Sequence, residues 1–236
     1  MTPAEDPKPF EFAVPEDYER HIDEARAALD VVPRNENWEN AQRVLADPPS
    51  REAIEAAQRE AAEAMAMLAA FQQARHTGYD PDQTTKVVID AAGELRELEF
   101  GVDAVRLGNH GLADAIGLAW AAAQDARAES QGDYTSRTGA LGGGNTPAEQ
   151  VLADIEFALS AREHERFGAT TEDGLTKLAV NLRGRLTEVV FLQNNVLNLT
   201  DRHTLAEQLT AAVQRAQSDA AAVVGEIGAA HYARLG

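Results

Sequence analysis

The chain contains no cysteine, so disulfides, thiolate nucleophiles and zinc–thiolate centres are excluded from its chemistry. Aromatic residues are only 6% of its 236 residues, and alanine supplies much of its 44% apolar fraction. Alanine has the best helix propensity and packs poorly on a pleated surface, so long helices are expected rather than a β-sandwich. No apolar run approaches the roughly 20 residues that a bilayer-spanning helix needs. No membrane partner is therefore expected. The first residues, MTPAEDPKPFEFAVPEDYER, have neither a positive n-region nor an apolar h-region. The expected location is cytoplasmic, with signal-independent secretion left open.

Basic residues are also scarce. Against 39 Asp+Glu there are 21 Lys+Arg, for a formal net charge of −18. Such acidity supports solubility and opposes non-specific attraction to DNA phosphates or anionic lipid. It is unevenly spread, with 5 basic and 12 acidic residues in 1–50, 8 and 15 in 51–140, and 8 and 12 in 141–236. A polyanion-binding surface would have to be local, and the C-terminal third is its best home.

Residues 1–49 read as an acidic section: a proline-rich tail over 1–14, a short helix Pro15–Leu29, the breaker Pro33, and a second short helix over 35–46 around Trp38. Ser50 is a suitable N-cap for a long helix to about Arg75, with Ile54, Ala61, Met65, Leu68 and Gln72 on one stripe. His76–Gln83 reads as a loop. The period then changes: TTKVVID (84–90) and LRELEF (95–100) flank Gly93 as a β-hairpin. A third helix follows, marked by Leu112, Ile116, Ala119, Trp120 and Ala123 and ending near Glu129.

Residues 130–145, with Gly142–Gly144, read as a flexible linker. The triple glycine lacks the preceding strand and the Gly-Lys-Ser/Thr of a phosphate loop. Thr146-Pro147-Ala148-Glu149 then forms a capping box that opens a helix to about Arg166. LTKLAVNL (175–182), the turn Arg183-Gly184-Arg185 and LTEVVF (186–191) give a second hairpin. Asn194–Thr204 is a loop with room for a short third strand. Leu205, Leu209, Val213, Ala216, Ala220, Val223 and Ile227 mark a closing helix with near-heptad spacing.

The two halves share their letters as well as their order. TKVVIDAAGELRELEF (85–100) lies over TKLAVNLRGRLTEVVF (176–191) without a gap, at an offset of 91. Thr85/Thr176, Lys86/Lys177, Gly93/Gly184, Leu95/Leu186, Glu97/Glu188 and Phe100/Phe191 are identical. With two extra residues in the second loop, Leu112-Ala113-Asp114 falls on Leu205-Ala206-Glu207. An internal duplication explains both agreements. A small sheet with two helices cannot cover its faces and edges alone. Two tandem copies, 50–129 and 146–236, are therefore expected to close on each other as an intramolecular pseudo-dimer of α+β class. Further homo-oligomerisation stays open.

On the hairpin LTKLAVNLRGRLTEVVF, the Gly174 before it and the closing helix LAEQLTAAVQRAQSDA, residues 149–230 resemble the YbaB/EbfC family of small nucleoid-associated proteins. Residues 51–129 resemble a more divergent copy. The resemblance implies an α-β-β-β-α unit that pairs with a second unit, binds double-stranded DNA, and performs no catalysis. The likeness extends to YbaB-like proteins of actinobacteria associated with type VII secretion. That branch implies a protein partner instead, for a chaperone or accessory factor.

The residues give no enzymatic or metal signature. Glu163-His164-Glu165 places neighbours on different helix faces, Asp80-Pro81-Asp82 lacks the glycine and glutamate of a calcium loop, and no serine occupies a nucleophile elbow. No cofactor is expected. For nucleic acid, the candidate phosphate-binding residues are Arg162, Arg166, Lys177, Arg183, Arg185, Arg202 and His203. In the first copy, Ala92 and Glu94 stand where the second has Arg183 and Arg185, so only one half keeps a basic hairpin tip.

Overall fold

The computed structural model describes residues 14–32, 34, 36–138 and 147–233. The tail before residue 14, the breaker Pro33, the triple glycine and the Thr146 cap lie outside the described residues. The chain forms two compact units, 1–70 and 71–236. The first holds α1 (Tyr18–Leu29), α2 (Glu36–Ala46) and most of α3 (Arg51–Gln73). Pro15 stands ahead of α1 rather than at its first turn. Trp38 Nε1 donates to Leu29 O at 2.9 Å and Arg26 Nε to Leu45 O at 3.0 Å, which ties α2 to α1. Ser50 caps α3, its Oγ accepting from Ala53 N at 3.2 Å. The unit boundary falls inside the stretch 50–129 expected as one copy.

The second unit contains β1 (Arg75–Tyr79), β2 (Thr85–Asp90), β3 (Leu95–Phe100), α4 (Gly108–Thr138), α5 (Pro147–Ala161), β4 (Arg166–Thr170), β5 (Thr176–Asn181), β6 (Leu186–Phe191) and α6 (Arg202–Tyr232). The class is α+β, with two three-stranded antiparallel sheets ordered β1-β2-β3 and β4-β5-β6. Both hairpins stand where the sequence places them. The expected loop 76–83 instead supplies β1, and the expected helix to Arg166 ends at Ala161 so that β4 can form. The third strand thus precedes each hairpin rather than following it; within 194–204 no strand forms, and a 3-10 turn, Val196–Asn198, leads to the start of α6 at Arg202. Likewise α4 continues to Thr138, past the expected start of the linker at 130.

The 91-residue offset extends to backbone hydrogen bonding. Arg75 pairs with Asp90 as Arg166 does with Asn181, and Tyr79 with Lys86 as Thr170 does with Lys177. Gly101 N donates to Thr84 O as Leu192 N does to Leu175 O. Each hairpin carries its irregularity at the same place, between Val88 and Ile89 and between Ala179 and Val180. A bulge adds one residue and resets the alternation. Leu95 and Leu98, three apart, therefore both point into the core, while Arg96 between them is exposed.

Each closing helix packs on two strands of its own sheet and one of the other. α4 lies on β1 and β2 and reaches β6, while α6 lies on β4 and β5 and reaches β3. A single core results, in which Val87, Ile89 and Trp120 join Leu178, Val180 and Leu209. Gly78 allows the close approach of α4: a Cβ there would sit 2.2 Å from Ala119 O and from Ala123 N. At the far end, Asn109 at the start of α4 donates through Nδ2 to Gln193 O at 2.5 Å and accepts from Val196 N at 2.9 Å.

Candidate nucleic-acid interface at the hairpin tips

The turns of both hairpins are built alike. Gly93 and Gly184 take φ of 89° and 70°, a region that costs glycine nothing and other residues about 1 kcal/mol or more. Asp90 Oδ1 accepts from the amides of Ala92 and Glu94 at 2.9 and 3.0 Å; Asn181 Oδ1 accepts from those of Arg183 and Arg185 at 3.0 and 2.9 Å. A short side-chain acceptor at this position thus replaces backbone partners in both turns.

The two tips meet on one buried side chain of α6. Gln217 Nε2 donates to Gly184 O at 2.8 Å and to Gly93 O at 3.1 Å, and its Oε1 accepts from Leu95 N at 2.9 Å. The neighbouring Gln214 donates to Leu95 O at 2.9 Å. A cleft beside this junction is lined by Gly93, Leu159, Leu182, Arg183, Gly184 and Ala220, among others.

The seven expected residues divide between two ends of the unit. Arg183 and Arg185 lie on the second turn, and Arg166 joins them because its register partner is Asn181. Arg162 follows α5, where its guanidinium meets Glu165 twice, at 2.5 and 2.8 Å. That pairing raises the Arg162 pKa and lowers that of Glu165. Arg183 is ion-paired with Glu156 of α5. Arg166 donates only to the carbonyls of Glu163 and Glu165, and Arg185 makes no ion pair among the described residues.

The remaining three lie elsewhere. Lys177 is exposed on β5, facing Thr170 and Val190, four residues and about 13 Å from Asn181. Its counterpart Lys86 bridges Glu97 and Glu99, each at 3.2 Å; the matching positions 188 and 190 are Glu and Val, and Lys177 has no ion pair among the described residues. Arg202 and His203 open α6 beside Glu97, Glu99 and Glu207. They precede Gln217 by 15 and 14 residues of helix, or about 22 Å. Their surroundings are acidic, so they do not extend the basic tip.

Three basic residues of the tip come from the first half and were not expected: Arg75 is the register partner of Asp90, and the other two make defined contacts. Arg96, the bulged residue of β3, donates to Asp90 Oδ2 through Nε at 2.8 Å and to Glu94 at 2.8 Å. Burial works against the Asp90 charge, but Arg96 and the turn amides outweigh it and hold its pKa below the usual carboxylate value. Arg127 of α4 donates through Nη1 to Ala91 O at 3.3 Å. Burial first, and the Arg185 charge second, lower its pKa from the ordinary arginine value against the opposing pull of the Asp90 carboxylate. Neither was readable from the hairpin, because Arg127 is remote in sequence and Arg96 looks like an ordinary exposed strand residue.

Backbone and side-chain placement together gather Arg75, Arg96, Arg127, Arg162, Arg166, Arg183 and Arg185 at this end, against Asp90, Glu94, Glu156, Glu163, Glu165 and Glu226. A locally basic surface of this kind is the class of feature that meets phosphate oxygens. Among the described residues no group of three or more His, Cys, Asp or Glu is placed to hold a metal ion. No described helix is long and apolar enough to cross a membrane. No family model matches this chain, no curated protein matches it, and no solved structure matches it.

Proposed function

We propose that this chain is a non-enzymatic DNA-binding protein made of two YbaB/EbfC-like units that form an intramolecular pseudo-dimer. It meets the phosphates of double-stranded DNA with the hairpin-tip end of the second unit. The observation that carries this reading is the meeting of both tips on Gln217, which collects arginines from both halves on a molecule of net charge −18. Arg166 and Arg185 have no ion pair among the described residues and are the most available to phosphate, whereas Arg127 is partly buried beside Asp90 and bonded to Ala91 O. Arg183 is available if Glu156 yields it. Arg202, His203 and Lys177 drop from the contact set, being remote from the tip.

A salt-titrated mobility shift with duplex DNA tests the proposal. Three phosphate contacts predict a slope of about −3 in log K against log salt. Arg183→Glu with Arg185→Glu removes retardation, while Arg202→Glu with His203→Glu leaves it nearly unchanged. Absence of retardation by micromolar wild-type protein at about 50 mM salt refutes it.

One observation favours a protein-interaction module instead. On α5, Phe157 is 78% and Leu152 55% exposed, and large exposed apolar side chains next to a polar surface suit a protein partner. A defined partner retrieved after nuclease treatment, and lost with Phe157→Ser, would favour that reading.

A further inference from the structure

β1 lies at the edge of its sheet, and its outer side is open. Asp80 N donates to Thr85 O at 3.2 Å. In an antiparallel ladder the backbone groups of Gly78 and His76 then also turn toward β2, and those of Arg75, Thr77 and Tyr79 turn away from it. Among the described residues nothing bonds to these outward groups. On β3 and β4 the edge is met by α6: Gln217 and Gln214 bond Leu95 N and O, and Arg215 Nη2 donates to Thr170 O at 2.9 Å. Tyr79 is the counterpart of Thr170, but Ala122 stands in α4 where α6 has Arg215. Edge strands are ordinarily guarded by lysine, proline or a bulge, and RHTGY has none of them.

The side chains of this strand fit its own copy. Arg75, Thr77 and Tyr79 are exposed, while His76 and Gly78 are buried on the α4 side. Set antiparallel to itself about Thr77, the strand puts Thr77 opposite Thr77 and Arg75 opposite Tyr79 at both ends, with no like charges opposed. The Arg75 guanidinium over the Tyr79 ring is a cation–π pair. The three outward residues fall in register, so each facing pair exchanges two backbone hydrogen bonds. The residues of α4 level with Gly78 are Ala119, Ala122 and Ala123, small enough for two copies of the helix to lie close.

We infer that two copies of this chain join through β1, antiparallel about a two-fold axis at Thr77, so that their β1-β2-β3 sheets run on as one. A single strand pair makes a small interface, so association is weak, and the charge of −18 on each copy opposes it until salt screens it. Arg75 marks the hairpin-tip end of β1 and Tyr79 the other, so the tips of the joined copies point apart. The inference does not depend on the nucleic-acid reading.

Sedimentation velocity of the full chain, without DNA, tests it at about 10–300 μM in about 0.5 M salt. The wild-type mass climbs with concentration from 25.4 kDa toward twice that value. Thr77→Pro removes an outward N–H at an edge position, where proline is tolerated, and Thr77→Lys opposes two like charges. Each weakens association about tenfold or more; if Thr77→Pro does not fold, Thr77→Lys decides. Gly168→Lys, the equivalent position of β4, leaves association unchanged. Amide exchange followed by NMR gives a second readout: Thr77 and Tyr79 exchange fast in dilute protein and are protected in concentrated protein, while His76 and Gly78 are protected in both. A mass fixed at 25.4 kDa throughout overturns the inference. So does association of equal strength in wild type and the Thr77 variants, which would place the contact elsewhere, or a Thr77 amide already protected in dilute protein.

Discussion

Replacing Gln217 by leucine tests whether one side chain joins the two hairpins. Gln217 is 6% exposed and makes three hydrogen bonds to the backbone, with Gly93 O, Gly184 O and Leu95 N. Leucine is close in size, so cavity effects are small, and the cost falls on the polar groups left behind. Each lost bond is worth about 0.5–1.5 kcal/mol net, and a buried backbone group left unpaired costs about 1–3 kcal/mol. Of the three, Leu95 is the residue most fully buried, at 1% exposed, so its amide bears the full penalty. The total is about 3–4 kcal/mol, a large share of the 5–15 kcal/mol typical of a folded domain. In a unit of this size that lowers Tm by about 10 °C. Urea unfolding followed by far-ultraviolet circular dichroism measures it, with the m value unchanged if the native fold persists. The control is Gln124→Leu, the corresponding position of α4, which is half-buried and bonds neither turn; it should stay within about 0.5 kcal/mol of wild type. A Gln217→Leu protein within about 1 kcal/mol of wild type would show that the tips are held together by something else.

His76 and Gly78 supply two further tests, their counterparts in the second half being Phe167 and Ala169. His76 is buried, with an unpartnered Nε2, and burial and then Arg127 lower its pKa against the opposing pull of Asp90. The folded form therefore prefers the neutral ring. This stabilisation is complete above the unfolded value of about 6.5 and is lost as pH falls below it toward the folded pKa. His76→Phe, which copies Phe167, should flatten the stability profile between pH 7.5 and 5.5, where carboxylates stay ionised; an unchanged slope there refutes the assignment. Gly78→Ala forces a Cβ into the backbone of α4 and should cost about 1–3 kcal/mol or more, measured as a fall in the urea midpoint. Gly168→Ala, whose Cβ would meet only Leu178 O at 3.6 Å, should be nearly neutral.

These positions also explain what the sequence conceals. The hairpins are legible because β-branched and apolar residues alternate around glycines at 93 and 184, and their letters repeat. β1 and β4 are not, since RHTGY and RFGAT are five residues long and contain a glycine that reads as a breaker. Gly78 is there for the opposite reason: helix and strand touch where a side chain would stand. The inward direction of Leu98 is equally hidden, because a bulge has no letter of its own. The basic site was partly legible. Arg183 and Arg185 stand out on their turn, whereas Arg127 and Gln217 join them only after two helices have crossed. Charge counting pointed to the C-terminal third, yet Arg202 and His203 there face the acids of β3 in the other half.

The crossing of α4 and α6 over both sheets has an evolutionary and cellular consequence. Two separate subunits interlocked in this way would come apart on dilution, and every substitution would appear in both at once. With the partners on one polypeptide, association is intramolecular and insensitive to expression level. Each half can then change alone, and the two turns differ, Ala92 and Glu94 standing in one where Arg183 and Arg185 stand in the other. The result is a molecule whose two hairpin tips are chemically unlike, one carrying Glu94 and the other Arg185.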